Sequence, residues 1–126
     1  MSSEYKAHAR YILISPSKVR RVADNVRRKR YIEAITILSH LPHRGAKILK
    51  KVIQSAAANA LYQNSQLDED NLHVTELYVN EGPRLKRIWR RGRGRADVLV
   101  KRMSHITAVV SETRANETMK TEKAEK

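Results

Sequence analysis

The sequence predicts an α+β chain, with helices gathered in its first half and strands in its second. A change of period and an interruption of charge carry that reading. From Val19 to Ala60, apolar residues recur at three- and four-residue intervals, as on one face of a helix. From His73 onward, β-formers in alternation replace them. Lysine and arginine fall in two blocks with a stretch lacking both between them.

Tyr5 to Ile14 is a short extended candidate, ending in Tyr11-Ile12-Leu13-Ile14. Ser15 and Pro16 then fit an N-cap and a first helical residue. Val19, Val22, Ala23 and Val26 make the buried stripe of this first helix. Lys18, Arg20, Arg21, Arg27 and Arg28 lie off it. Tyr31, Ala34, Ile35 and Leu38 repeat the spacing in a second helix, which Leu41-Pro42 ends because proline disfavours a helical residue before it. A third helix runs from about His43 to Asn64, burying Leu49, Val52, Ile53, Ala56 and Ala60. Ser55, Ala56, Ala57, Ala58 and Ala60 are small enough for another backbone to approach closely.

Residues 65–71 read as a polar turn, and His73 to Val79 as a strand. Val98, Val100, Ile106, Ala108 and Val110 share one parity and predict a second strand. Between them Arg90-Arg91-Gly92-Arg93-Gly94-Arg95 supplies glycines for a reversal, so the expectation is a hairpin with a cationic tip. Fifteen or so residues per arm, at roughly 3.3 Å each, would reach about 50 Å. Residues 84–96 offer only Leu85, Ile88, Trp89 and Ala96 as apolar side chains. An isolated two-stranded ribbon is marginal in water, so the outer arm is expected to order on a partner. The Thr/Glu/Lys/Ala-rich tail over 112–126 has no apolar period and is expected to be disordered.

The chain has 126 residues, no cysteine and a formal net charge of +13. The length suits one domain, and the missing thiol excludes disulfides, cysteine-based metal centres and a thiol nucleophile. Residues 1–51 hold 13 Lys/Arg, residues 52–83 none, and residues 84–102 nine. Such charge favours a polyanionic partner, either nucleic acid or an anionic membrane surface. No run of about 18 apolar residues spans a bilayer, and no apolar segment precedes Ala7-His8-Ala9, so an intracellular protein is expected. In the 84–95 segment arginine outnumbers lysine six to one. Its planar fork suits phosphate and stacks on bases. Basic groups on two dissimilar elements, without helix-turn-helix or zinc-finger spacing, favour structured RNA over DNA.

Catalytic and metal constellations are weak. His40 and His43 have H-x-x-H spacing but straddle Pro42, and Asp68-Glu69-Asp70 lacks the ligand alternation and glycine of a calcium loop. No phosphate-loop or nucleophile-elbow pattern occurs. The rival readings are an RNA-cleaving enzyme using His43 or His105, a free-standing RNA chaperone, and a peripheral membrane-surface binder. No cofactor, metal or catalytic residue is expected.

Four motifs in one order complete the sequence reading. Ile14-Ser15-Pro16-Ser17-Lys18-Val19-Arg20-Arg21-Val22-Ala23-Asp24 comes first, followed by Lys50-Lys51-Val52-Ile53-Gln54-Ser55-Ala56-Ala57-Ala58-Asn59-Ala60. Asn80-Glu81-Gly82-Pro83 is the third, and Gly94-Arg95-Ala96-Asp97 through Ser104-His105-Ile106-Thr107 the last. Together they resemble the L-twenty-two family of large-ribosomal-subunit proteins across about residues 5–111. The resemblance implies three helices packed on a small antiparallel β-sheet, with a long protruding hairpin over about 80–104. It further implies one rRNA-binding domain over 1–111 in the cytoplasmic ribosome, acting as a single copy and not as a homo-oligomer. Partners would be large-subunit (23S-type) rRNA, other large-subunit proteins and, transiently, the nascent polypeptide.

By this resemblance the protein organises several rRNA domains during assembly, and its hairpin tip lines the peptide exit tunnel. Lys18, Arg20, Arg21, Arg27, Lys47, Lys50 and Lys51 are the expected rRNA contacts of the body. Arg84, Lys86, Arg87, Arg90, Arg91, Arg93 and Arg95 are those of the hairpin. Trp89, Arg90, Arg91, Gly92 and Arg93 form the expected tunnel-lining tip. Many bacterial members read Pro-Arg-Ala-basic-Gly-Arg-Ala there. This chain has Arg90 for the proline, Gly92 for the alanine and a bulky Trp89 beside them.

Overall fold

Alternation of apolar and polar residues gives three strands one greasy face each, and the helices supply the matching stripes. The computed structural model describes residues 3–112. In chain order these form β1 (Glu4–Ile12), α1 (Pro16–Asp24), α2 (Tyr31–His40), α3 (Arg44–Gln63) and β2 (Leu72–Glu81). They continue as β3 (Leu85–Arg90), β4 (Ala96–Lys101) and β5 (Ser104–Glu112). An antiparallel sheet of order β1-β5-β2 carries the three helices, and β3 and β4 form a separate two-stranded ribbon. The α+β architecture is the expected one.

The core lies between α3 and the sheet. Leu49, Ile53, Ala56 and Ala60 of α3 are buried with Tyr5 and Ala7 of β1, Leu77 and Val79 of β2, and Ile106, Ala108 and Val110 of β5. Ala56, Ala57 and Ala60 face inward as expected, while Ser55 and Ala58 are exposed on the other side of the helix. Val19, Val22 and Ala23 of α1 join the same core.

The helix ends depart from the sequence reading in instructive ways. Ser15 sits at the N-cap of α1, but its side chain makes no capping bond and Ser15 Oγ lies 3.0 Å from Ser17 Oγ. The helix stops at Asp24, before Val26, although Val26 is buried. Arg28, at φ +64°, turns the chain so that Lys29 O accepts the Val74 amide at 2.9 Å. The first strand ends at Ile12, short of the expected Ile14. A bulge between Ala9 and Ile12 places Tyr11 at φ +58°, with its amide donating to His105 Nδ1 at 3.1 Å.

Both outer strands of the sheet would leave a row of unpaired backbone groups. Side chains from α1, the turn after it and α3 cover part of them. Arg20 donates twice to Val79 O, at 3.2 and 3.0 Å, and Arg27 twice to Leu77 O, at 3.3 and 2.9 Å. The two carbonyls are two residues apart, so both point off the free edge of β2. On the opposite edge Asn59 Nδ2 donates to Lys6 O at 2.9 Å.

The single strand expected over 98–110 is in fact two strands in two sheets. The β2–β5 ladder runs out to Glu81 opposite Ser104, and the β3–β4 ladder resumes with Leu85 opposite Lys101. Between them Gly82 donates its amide to Met103 O at 2.8 Å. A Cβ on Gly82 would stand 3.1 Å from Met103 Cβ and 3.2 Å from its carbonyl, so a larger residue would have to push the two backbones slightly apart. The parity argument failed because no layer covers the ribbon. Val98 is 67 % and Ile88 74 % exposed, although the two are cross-strand partners. Each outer strand has six residues, roughly 20 Å of free ribbon, so the expected arm is divided into a packed half and a bare one. At the end of the described residues Glu112 still pairs with Leu72, and the rest of the expected tail lies outside them.

Two outcomes follow. Arg27→Ala should lower unfolding free energy by about 1–3 kcal/mol, because Leu77 O loses a charged double donor, and Arg27→Lys should recover less than half; urea denaturation measures both. In the free protein, backbone amides of Ile88–Arg90 and Ala96–Val98 should exchange fast while those of Ile53–Ala60 are protected. Equal protection in hydrogen-exchange mass spectrometry would show a ribbon stable on its own.

Candidate nucleic-acid interface

Helical spacing sets the body's cationic surface. On α3, Arg44, Lys47 and Lys51 are exposed at i, i+3 and i+7, with half-buried Lys50 beside them. On α1, Lys18 and Arg21 are exposed one turn apart. None of these six has an ion pair or a side-chain hydrogen bond among the described residues.

Arg20 and Arg27 are placed differently from their neighbours. Their guanidinium groups hold the β2 edge, and Arg27 also pairs with Asp24 at 2.5 Å. Sequence spacing could not separate these two from Lys18 and Arg21, since all lie off the apolar stripe.

The ribbon carries cations on both faces. Strand alternation puts Leu85, Arg87 and Trp89 on one face and Lys86, Ile88 and Arg90 on the other. Cross-strand neighbours add Lys101 beside Leu85 and Asp97 beside Trp89. Asp97 is taken by Arg91 at 2.6 Å, and Glu81 by Arg84 at 2.5 Å and Arg102 at 3.4 Å. Arg87 donates to Lys86 O at 2.9 Å. Lys86, Arg90, Arg93 and Arg95 have no such partner among the described residues. Trp89 is 56 % exposed on the bare ribbon.

At the tip, Arg91 N donates to Arg95 O at 2.8 Å. The reversal runs through Arg93 at φ +60° and Gly94 at φ +73°. Both glycines lie in the reversal as expected, Gly92 through its carbonyl, which accepts the Arg95 amide at 3.4 Å, while the left-handed positions are Arg93 and Gly94.

The two basic blocks of the sequence meet in space. A cleft of about 1130 Å³ opens between α1, the start of α3 and the base of the ribbon. Lys18, Arg21 and Arg44 line it from the body, and Arg87, Lys101 and Arg102 from the ribbon side, with no carboxylate in its lining. Arg44, Lys101 and Arg102 were missed as site residues by sequence reasoning. Their charge was countable, but only the hairpin's course brings them opposite α1.

The histidines do not assemble a catalytic centre. His43 is the N-cap residue of α3 on the cleft rim, and His105 is bound to the Tyr11 amide with the Tyr11 ring edge-on at 5.0 Å. No three His, Asp or Glu side chains converge on one point among the described residues. Tyr31 and Tyr78 are the groups with displaced ionisation. Burial, then the Glu69 carboxylate, pushes the Tyr31 phenol up. A hydrogen bond with Glu76 is the main cause that raises Tyr78. Both lie away from the cleft lining and stay protonated.

Comparison with known proteins places this geometry. Residues 7–111 match the family model described as Ribosomal protein L22p/L17e. A protein of Treponema denticola named large ribosomal subunit protein uL22 is 56% identical over 108 residues, covering 86% of this chain and 92% of that protein. Its namesake in Treponema pallidum is 51% identical over 109 residues, 86% of this chain and 88% of that one. A Thermotoga relative of the same name is 57% identical over 107 residues, 85% of this chain and 67% of that protein. The match spans the body, the cleft and the whole ribbon, and the chain belongs to the L22p/L17e family of ribosomal proteins.

Proposed function

We propose that this protein binds large-subunit rRNA through one continuous cationic surface running from α3 and α1, across the cleft, to the tip of the ribbon. As a member of its family the chain is a structural constituent of the large ribosomal subunit, not an enzyme, and sits in the ribosome in the cytoplasm. The observation that carries the binding reading is the ribbon, which bears unpaired cations on both faces and no apolar cover on either. An element that docked on a flat surface would be charged on one face only. One charged all round fits surroundings that are polyanionic on every side.

In this reading residues 1–111 act as one rRNA-binding domain. Lys18, Arg21, Lys47, Lys50 and Lys51 meet phosphates from the body. Lys86, Arg87, Arg90, Arg93 and Arg95 do so from the ribbon. Arg20 keeps its outer guanidinium nitrogen for the same use, while Arg27, Arg84 and Arg91 reach RNA only by sharing themselves with a carbonyl or a carboxylate. Trp89 offers a ring on which an unpaired base stacks. The ribbon passes between rRNA segments, so that one protein ties several rRNA domains together during assembly. Its tip, Trp89 to Arg93, faces the tunnel and the passing nascent chain. Other large-subunit proteins are its neighbours, and it works as a single copy.

Neutralising about eight phosphates should make log affinity for large-subunit rRNA fall with log salt at a slope of roughly −6 to −7. Filter binding across a salt series reads this directly. A nearly flat response would remove the electrostatic mechanism. Replacing Arg90, Arg93 and Arg95 together by Gln should lessen the slope by about 2–3 if each meets one phosphate.

A further inference from the structure

One part of the cationic surface has an apolar floor. Leu13, from the body, and Leu85, on the ribbon face that also carries Arg87 and Lys101, line the cleft, and Leu13 is 54 % exposed. Arg102 is shared with Glu81, but Lys18, Arg21, Arg44, Arg87 and Lys101 are paired with no acid among the described residues. Phosphate alone explains the rim and leaves the floor without a purpose.

The shape narrows the ligand. At about 1130 Å³ the cleft has room for a short polymer segment and not only for a single anion. A duplex presents phosphates on a convex ridge and hides the faces of its bases. A single strand shows phosphate and base faces together. Asn25 and His43, also in the lining, offer hydrogen-bonding groups to a base edge.

We propose that this cleft is a binding site for an unpaired RNA segment. Its phosphates lie between the two cationic walls, and one base packs against Leu13 and Leu85. The inference rests on the rRNA-binding reading and goes beyond it in naming the RNA form and the place. It also has a mechanical consequence. One wall belongs to the helical body and the other to the base of the ribbon, beyond the Gly82–Met103 crossing. Like charges facing across the cleft repel, and a phosphodiester chain between them turns that repulsion into attraction toward both walls. The RNA segment thereby fixes the angle at which the ribbon leaves the body.

The test uses the full chain and two labelled probes, a ten-nucleotide single-stranded RNA and an RNA duplex of the same length, read by fluorescence anisotropy. The single strand should bind about tenfold tighter or more, because stacking on the floor adds to the phosphate contacts. Arg44→Gln and Lys101→Gln should each lessen the salt slope for the single strand by about 0.7. Leu13→Ala should weaken binding about three- to tenfold with the slope unchanged, since it removes packing and no charge. Circular dichroism confirms that each variant is folded. Equal affinity for the two probes, or a single-strand slope untouched by both charge substitutions, overturns the cleft site. A parallel titration with intact large-subunit rRNA separates the levels. A steep salt slope there with no single-strand preference sinks the cleft alone, and a flat one sinks the wider reading as well.

Discussion

The antiparallel pairing of β2 with β5 is the contact on which the rest of this structure depends. Its inner half places Leu77 and Val79, on the strand packed against α1, and Ile106 and Ala108, on the strand packed against α3, in one core. Its outer half delivers the chain to Gly82 and Met103, where the two backbones cross closely and continue as the ribbon. Core and ribbon are thus one hairpin in two environments. The packed half is stabilised by burial. The bare half has its ladder, the Arg91–Asp97 ion pair and the Ile88–Val98 pair, whose two side chains face water. The boundary falls where the helices no longer cover the strands and arginine begins.

The arginines of this chain do two different jobs, and the backbone decides which. Arg20 and Arg27 lie over the free edge of β2, and their planar forks each meet one carbonyl with two donors. They cover two carbonyls of an edge open to pairing and tie α1 and the turn after it to the sheet. Arg21 and Lys18, a residue or two away on the same helix, point into the cleft instead. A basic helix face is therefore partly structural, and charge alone overstates the number of groups free for a polyanion.

Much of this was legible in the sequence because it depends on local spacing. The third helix, expected from His43 to Asn64, spans Arg44–Gln63 with those two residues as its caps. Proline 42 and the apolar stripe specify that without reference to anything distant. The errors arose where tertiary geometry intervenes. One parity ran through Val98, Val100 and Ile106, yet only Ile106 is deeply buried, because alternation reports a face and not whether anything covers it. Arg28 and Tyr11 adopt left-handed backbone that no local residue preference announces; His105 holds the Tyr11 amide, and Val74 holds the Lys29 carbonyl next to Arg28. The cleft was invisible for the same reason: Arg44 and Lys101 are neighbours only after the hairpin has folded.

In the proposed function the bare ribbon lies immersed in RNA while the helices hold its base. Since the chain has no cysteine, an Arg93→Cys variant gives a unique thiol at the tip. Tethered there, an iron chelate generating hydroxyl radicals should cleave large-subunit rRNA at several segments distant in sequence once the protein is assembled into subunits. Cleavage from a Lys47→Cys probe on α3 with none from position 93 would mean that the ribbon stands clear of RNA, and the account would fail.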